Sequence, residues 1–96
     1  MTQQKTALIT GAGSGIGRAL ALEAVRRGYA PILVGRTEVS LLETQELFPG
    51  TRAVIVVADV TSPEGRRSIA GAVGQRLDVL INNAGTLSVG HLGDMD

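Results

Sequence analysis

Thr10-Gly11-Ala12-Gly13-Ser14-Gly15-Ile16-Gly17 joins an apolar run, Ala7-Leu8-Ile9, to an amphipathic stretch through a turn almost free of side chains. A turn of that kind suits a phosphate. Glycine reaches φ > 0 and lets a ligand approach the backbone, while a helix beginning there points unpaired N–H groups and the positive end of its dipole at the gap. The spacing narrows the class of ligand. G-x-G-x-x-G read from Gly11 requires glycine at position 16 and meets Ile16; read from Gly13 it requires glycine at position 18 and meets Arg18. A loop of the G-x-x-x-x-G-K-[ST] type fails as well, since no lysine follows these glycines. T-G-x-x-x-G-x-G fits, with Gly11, Gly15 and Gly17 in the fixed places.

The elements that must position this loop follow from hydropathy. Apolar runs predict strands at about Thr6 to Thr10, Ile32 to Gly35, Ala53 to Ala58 and Val79 to Asn82. Amphipathic stretches predict helices at about Gly15 to Arg27, Glu38 to Leu47 and Pro63 to Gln75, with Gly28 as the C′ residue of the first. The third helix has the clearest start: Ser62 can cap it, Pro63 suits its first turn and Glu64 favours its dipole. Gly65, Gly71 and Gly74 weaken it by up to about 1 kcal/mol each relative to alanine where they are interior, so it must lean on packing. The run Val54-Ile55-Val56-Val57 suits a strand covered on both faces, and these residues are predicted to be buried.

No repeat, linker or low-complexity segment interrupts the series. One α/β domain over residues 1–96 is expected: a Rossmann-type doubly wound parallel sheet in strand order 3-2-1-4, partial in that it stops after the fourth strand. The glycine loop, Arg36, Asp59 and Asn83 then meet at the carboxyl ends of their strands, the rim where open α/β sheets bind ligands.

Three segments besides the glycine loop mark that rim. Gly35-Arg36 follows the second predicted strand, Asp59-Val60-Thr61 the third and Asn82-Asn83-Ala84-Gly85 the fourth. Taken with the loop, and in this order, they resemble the N-terminal part of the short-chain dehydrogenase/reductase family over about Lys5 to Gly85. The resemblance implies a nicotinamide dinucleotide held by Gly11, Ser14, Gly15, Ile16 and Gly17. Ile16 is expected to offer its backbone, with its side chain packed under the sheet. Asp59 resembles the family aspartate that accepts from the adenine amino group, with the Val60 backbone beside it; alternatively it organises the turn before Ser62. Asn83, Ala84 and Gly85 match residues lining the adenosine ribose side, whereas Asn82 is expected to tie neighbouring strands.

Arg36 carries the choice of cofactor. Family members that prefer NAD usually place an aspartate at the end of the second strand, where it accepts from the ribose 2′-OH. Gly35 stands there instead. Arg36 follows, with a guanidinium able to pair with a phosphate and stack on adenine, and Thr37 can add a hydroxyl donor. NADP(H) is therefore expected over NAD(H). Ser14 stands where the family often has a basic residue that favours the 2′-phosphate. The alternative for Arg36 is an exposed loop arginine without a ligand.

Composition excludes other classes. A formal net charge of zero argues against a nucleic-acid or membrane-surface partner held by charge. Cysteine is absent and His91 is the only histidine, so neither a disulfide framework nor a Cys/His metal site is expected, and His91 is given no catalytic role. Thr2-Gln3-Gln4-Lys5 lacks the apolar core of a signal peptide, and the longest apolar run, Ala53 to Ala58, is too short to span a bilayer. A soluble, cytoplasmic protein is expected.

In the family, a tyrosine, a lysine, a serine and an asparagine serve hydride transfer between nicotinamide and a carbonyl or hydroxyl carbon, and they lie beyond the Asn-Asn-Ala-Gly motif. Tyr29 is the only tyrosine here, no Y-x-x-x-K occurs, and the single lysine, Lys5, precedes the first strand. No catalytic residue is therefore expected in these 96 residues. Three readings stay open: the NADP(H)-binding portion of such an oxidoreductase; a non-catalytic dinucleotide-binding sensor; or an interaction module whose Val79-Leu80-Ile81 edge pairs with another chain, including a second copy in a homo-oligomer.

Overall fold

Apolar residues alternate between two faces of a parallel sheet, and each face collects its own core. In the computed structural model, which describes residues 4–74 and 77–83, the elements run β1 (Thr6–Thr10), α1 (Gly15–Arg26), β2 (Ala30–Gly35), α2 (Glu38–Gln45), β3 (Val54–Val57), α3 (Pro63–Val73) and β4 (Val79–Ile81). The sheet order is β3-β2-β1-β4, with every pair parallel, as the sequence predicts. Ala7, Ile9 and Leu33 face one way and pack with Ala21 and Ala24 of α1, Leu41 of α2, and Phe48. Leu8, Ile32, Val34 and Val56 face the other way and pack with Ile69 of α3 and with Val60. A period of two in the strands thus puts two helices on one side and one on the other.

Local chemistry sets the helix ends. Gly28 has φ 91°, the left-handed conformation expected just past α1. Ser62 Oγ accepts from the Gly65 amide at 2.9 Å and caps α3. Gly74, with φ 71°, ends α3 before the predicted Gln75, which lies outside the described residues. α2 stops at Gln45 rather than Leu47. Beyond Gln45 the chain tightens, with the Leu47 amide donating to the Thr44 carbonyl and the Phe48 amide to the Gln45 carbonyl, and this turn carries Phe48 into the core.

Two expectations are corrected. Val54 and Val57 are 47% and 50% exposed, and of the β3 valines only Val56 is buried. β3 is the edge of the sheet, paired to β2 alone among the described residues, so the helices above and below cover it incompletely. Gly65 is more than a weak point in a helix. A Cβ there would collide with the Asp59 carbonyl, so glycine is what lets α3 start tightly against the end of β3. Gly71 has open space around its Cβ position.

Among the described residues, no helix is long and apolar enough to cross a membrane, and no group of three His, Cys, Asp or Glu could hold a metal ion.

The two α3 glycines therefore separate by experiment. Gly65→Ala is expected to lower stability by about 1–3 kcal/mol through overpacking, and Gly71→Ala to raise it by up to about 1 kcal/mol through helix propensity. Urea unfolding midpoints of the two variants check this; equal shifts in one direction would contradict the packing described for Gly65.

Candidate functional site

The rim is built from the carboxyl end of β1 outward. Thr10, fully buried, donates its hydroxyl to Asn82 Oδ1 at 3.0 Å and accepts from the Asn83 amide at 2.9 Å. These bonds lock the ends of β1 and β4 together and give Asn82 its predicted strand-tying place. Beyond Thr10 the chain turns through Gly11 (φ 63°) and Gly15 (φ 57°), conformations that L side chains rarely adopt. Asn83 Nδ2 reaches the Gly11 carbonyl at 3.5 Å.

The three motif glycines serve different purposes. At Gly17 a Cβ would collide with the Gly11 carbonyl and stand 2.8 Å from Asn83 Nδ2, so this glycine lets α1 begin against the loop. Gly11 needs its left-handed dihedral and lies close under Asn83. Gly15 has nothing within 4 Å of its Cβ position, which is the open side of the cradle.

A cleft of about 160 Å³ joins this loop to the β2–α2 turn and is lined by Gly11, Gly13, Ser14, Gly35, Arg36, Thr37 and Ser40. Ser14 is the N-cap of α1 and Thr37 the N-cap of α2, and neither side chain makes a capping hydrogen bond. Two helix N-termini, two hydroxyls outside the capping role and one guanidinium thus border a single cleft, an arrangement suited to a phosphate. A Cβ on Gly35 would come 2.9 Å from Cδ2 of the fully buried Leu41, so packing as well as sequence disfavours an acidic side chain there. A larger hollow of about 530 Å³, lined by Gln45, Phe48 and Arg52 among others, lies at the opposite end of β3 and touches none of the motif residues.

Asp59 takes the turn-organising place. Its Oδ1 accepts from the Thr61 hydroxyl at 2.6 Å and the Thr61 amide at 2.8 Å. Those two bonds hold its carboxyl below the usual value, aided by the Arg36 charge and opposed by partial desolvation. Val60 buries its side chain in the core, and its carbonyl accepts from Arg66. Ile16 is corrected: at 69% exposed it lies on the rim rather than under the sheet, because the first turn of α1 projects past the end of β1. Ala84, Gly85 and His91 lie outside the described residues.

Sequence reasoning missed Arg18 and Thr44. Arg18 Nε donates to Thr44 Oγ1 at 2.8 Å, and its NH2 group donates to the Gly13 carbonyl and, at 3.2 Å, to the Ser40 carbonyl. The available signal was electrostatic: an arginine in the first turn of a helix opposes the dipole and calls for partners elsewhere.

The family model for short chain dehydrogenases matches residues 5–96. This chain belongs to the short-chain dehydrogenase family. It is 42% identical to 11-beta-hydroxysteroid dehydrogenase A of Sesamum indicum, covering 96% of the chain and 28% of that relative. It is 38% identical to the NADPH-dependent pterin aldehyde reductase of Arabidopsis thaliana, covering 88% of the chain and 36% of the relative. Among solved structures, L-sorbose reductase from Gluconobacter frateurii, complexed with NADPH and L-sorbose, superposes with a TM-score of 0.78 at 39% identity over 90% of this chain and 35% of that one. The chain thus spans about a third of the length of the short-chain dehydrogenases it matches.

The lowered Asp59 pKa has a definite sign. A folded-state value below the unfolded one, near 3.8, means that Asp59 stabilises the fold above that value and ceases to as the pH falls through the lower folded value. Asp59→Asn is expected to be less stable than the parent at neutral pH and to converge with it in acid. Parallel unfolding curves from pH 7 to pH 2 test this, and a constant difference at all pH values would contradict it.

Proposed function

We propose that this chain is the dinucleotide-binding portion of an NADP(H)-dependent oxidoreductase, and that its rim cleft takes the 2′-phosphate of the adenosine. The observation that carries the reading is the grouping of Arg36, Ser14 and Thr37 around one cleft between two helix N-termini. The residues present fit the group. Gly15 leaves open space beside the N-terminus of α1 for a pyrophosphate, with the backbone of Ile16 and Gly17 following it. Asp59 uses Oδ1 for its turn, and the adenine amino group is assigned to its carboxylate by family resemblance. Asn83, Ala84 and Gly85 are assigned the ribose side by family resemblance.

Energetics favour a phosphate-bearing ligand. A charge-assisted hydrogen bond contributes about 1.5–3 kcal/mol, a roughly ten- to hundredfold preference for NADP(H) over NAD(H) from Arg36 alone. Two of the relatives and neighbours point the same way: the Arabidopsis reductase is NADPH-dependent and the sorbose reductase was crystallised with NADPH. When bound, the nicotinamide exchanges hydride with a carbonyl or hydroxyl carbon; the described residues bind and orient the adenosine end. The catalytic acid/base is assigned to none of them.

Arg36→Ala is expected to weaken NADPH binding by about ten- to hundredfold and to leave NADH nearly unchanged. Gly15→Val, by contrast, is expected to weaken both, because side-chain atoms then occupy the pyrophosphate approach. Calorimetric titration of each variant with both dinucleotides, beside circular dichroism for retained fold, makes the comparison. Equal losses in Arg36→Ala would remove Arg36 from the phosphate site.

A further inference from the structure

Arg18 sits in the first turn of α1, where the positive helix end disfavours a cation. Its guanidinium lies across the join between two walls. The NH2 group donates to the carbonyls of Gly13 and Ser40, and Nε donates to Thr44 Oγ1. Glu43 places a carboxylate 3.5 Å from the same NH2 group. Thr44, fully buried, donates in turn to the Ala12 carbonyl at 2.7 Å.

The groups held in this way belong to the two sides of the rim cleft. Ala12 and Gly13 are in the glycine loop, and Ser40 and Thr44 are in α2. Gly13 and Ser40 both line the cleft, and a Cβ on Gly13 would come 2.8 Å from the Ser40 Cβ, so the walls touch where Arg18 ties them. Ser14 and Gly11 stand on the glycine-loop wall; Arg36 and Thr37 lead into the α2 wall.

We propose that Arg18 is a positioning residue that fixes the separation of these walls and thereby sets the preference for a 2′-phosphorylated dinucleotide. The inference rests on the dinucleotide reading given above. Adenosine links the pyrophosphate to the 2′-phosphate through a short covalent frame. Both grips therefore engage one ligand only when their spacing is set beforehand; otherwise the second contact is made at the cost of ordering the walls. NADH needs the glycine-loop grip alone, whereas NADPH needs both. Arg18 spends its donors on carbonyls and a hydroxyl of the protein, which separates its place from that of Arg36, a cleft-lining side chain.

The test titrates the parent chain, Arg18→Met, Arg36→Ala and the double variant with NADPH and with NADH, and records thermal unfolding of each. Methionine keeps the apolar stem and removes the fork. Arg18→Met is expected to weaken NADPH by about tenfold and NADH by less than about twofold, and to lose this selective effect in the Arg36→Ala background. Equal weakening of both dinucleotides, or no change in either, overturns the proposal. Should Arg18→Met fail to fold, Arg18→Lys carries the test, since it keeps charge and reach without the fork; a smaller loss confined to NADPH supports the proposal and an even loss overturns it. If Arg36→Ala leaves the parent's NADPH-to-NADH ratio unchanged, the phosphate reading of the cleft falls and this inference with it. If Arg36→Ala abolishes the preference while Arg18→Met preserves it, the positioning proposal alone is overturned.

Discussion

The Gly11 carbonyl occupies the space a side chain at position 17 would need, and the rim is arranged around that contact. Because α1 starts against its own preceding loop, the loop turns through left-handed dihedrals at Gly11 and Gly15, and backbone rather than side chains forms this part of the rim. The buried Thr10 hydroxyl holds the approach from below by binding Asn82 and the Asn83 amide. Asn83 in turn reaches over Gly11. A side chain at Gly11 or Gly17 would meet Asn83, and at Gly17 also the Gly11 carbonyl, so these positions depend on one another.

Charge at the rim is local. The chain has no net charge, yet Arg18 and Arg36 lie beside the same cleft as the N-termini of α1 and α2. The division of labour between the two arginines follows from their partners. Arg18 makes hydrogen bonds to Gly13, Ser40 and Thr44 and is partly shielded, so its charge is committed to the frame. Arg36 is exposed on the cleft, and its charge adds a smaller contribution to the Thr61 hydrogen bonds that hold the Asp59 carboxyl below its usual value.

Much of this was legible in the sequence because it depends on local rules. Strand runs, the Ser62 cap, Gly28 and the glycine spacing each report a nearest-neighbour constraint, and parallel pairing with right-handed crossovers converts them into the order 3-2-1-4. The departures have a different origin. Val54 and Val57 read as buried because a continuous valine and isoleucine run suits a strand covered on both faces, although the order 3-2-1-4 puts that strand at an edge the helices cover incompletely. Gly65 read as a weakness because its use depends on a carbonyl from another element. Ile16 read as core by its type, although its place in the first turn of α1 turns it outward. Arg18 and Thr44 are 26 residues apart, and no periodicity connects them.

The most direct measurement follows backbone amide resonances of the chain during titration with adenosine 2′,5′-bisphosphate and, separately, with adenosine 5′-monophosphate. The 2′-phosphorylated nucleotide is expected to shift the amides of Ser14, Arg36 and Thr37 beyond anything the monophosphate causes, while Gly15 and Gly17 respond to both. Indistinguishable responses at Arg36 and Thr37, or shifts centred on the hollow near Phe48 and Arg52, would contradict that expectation.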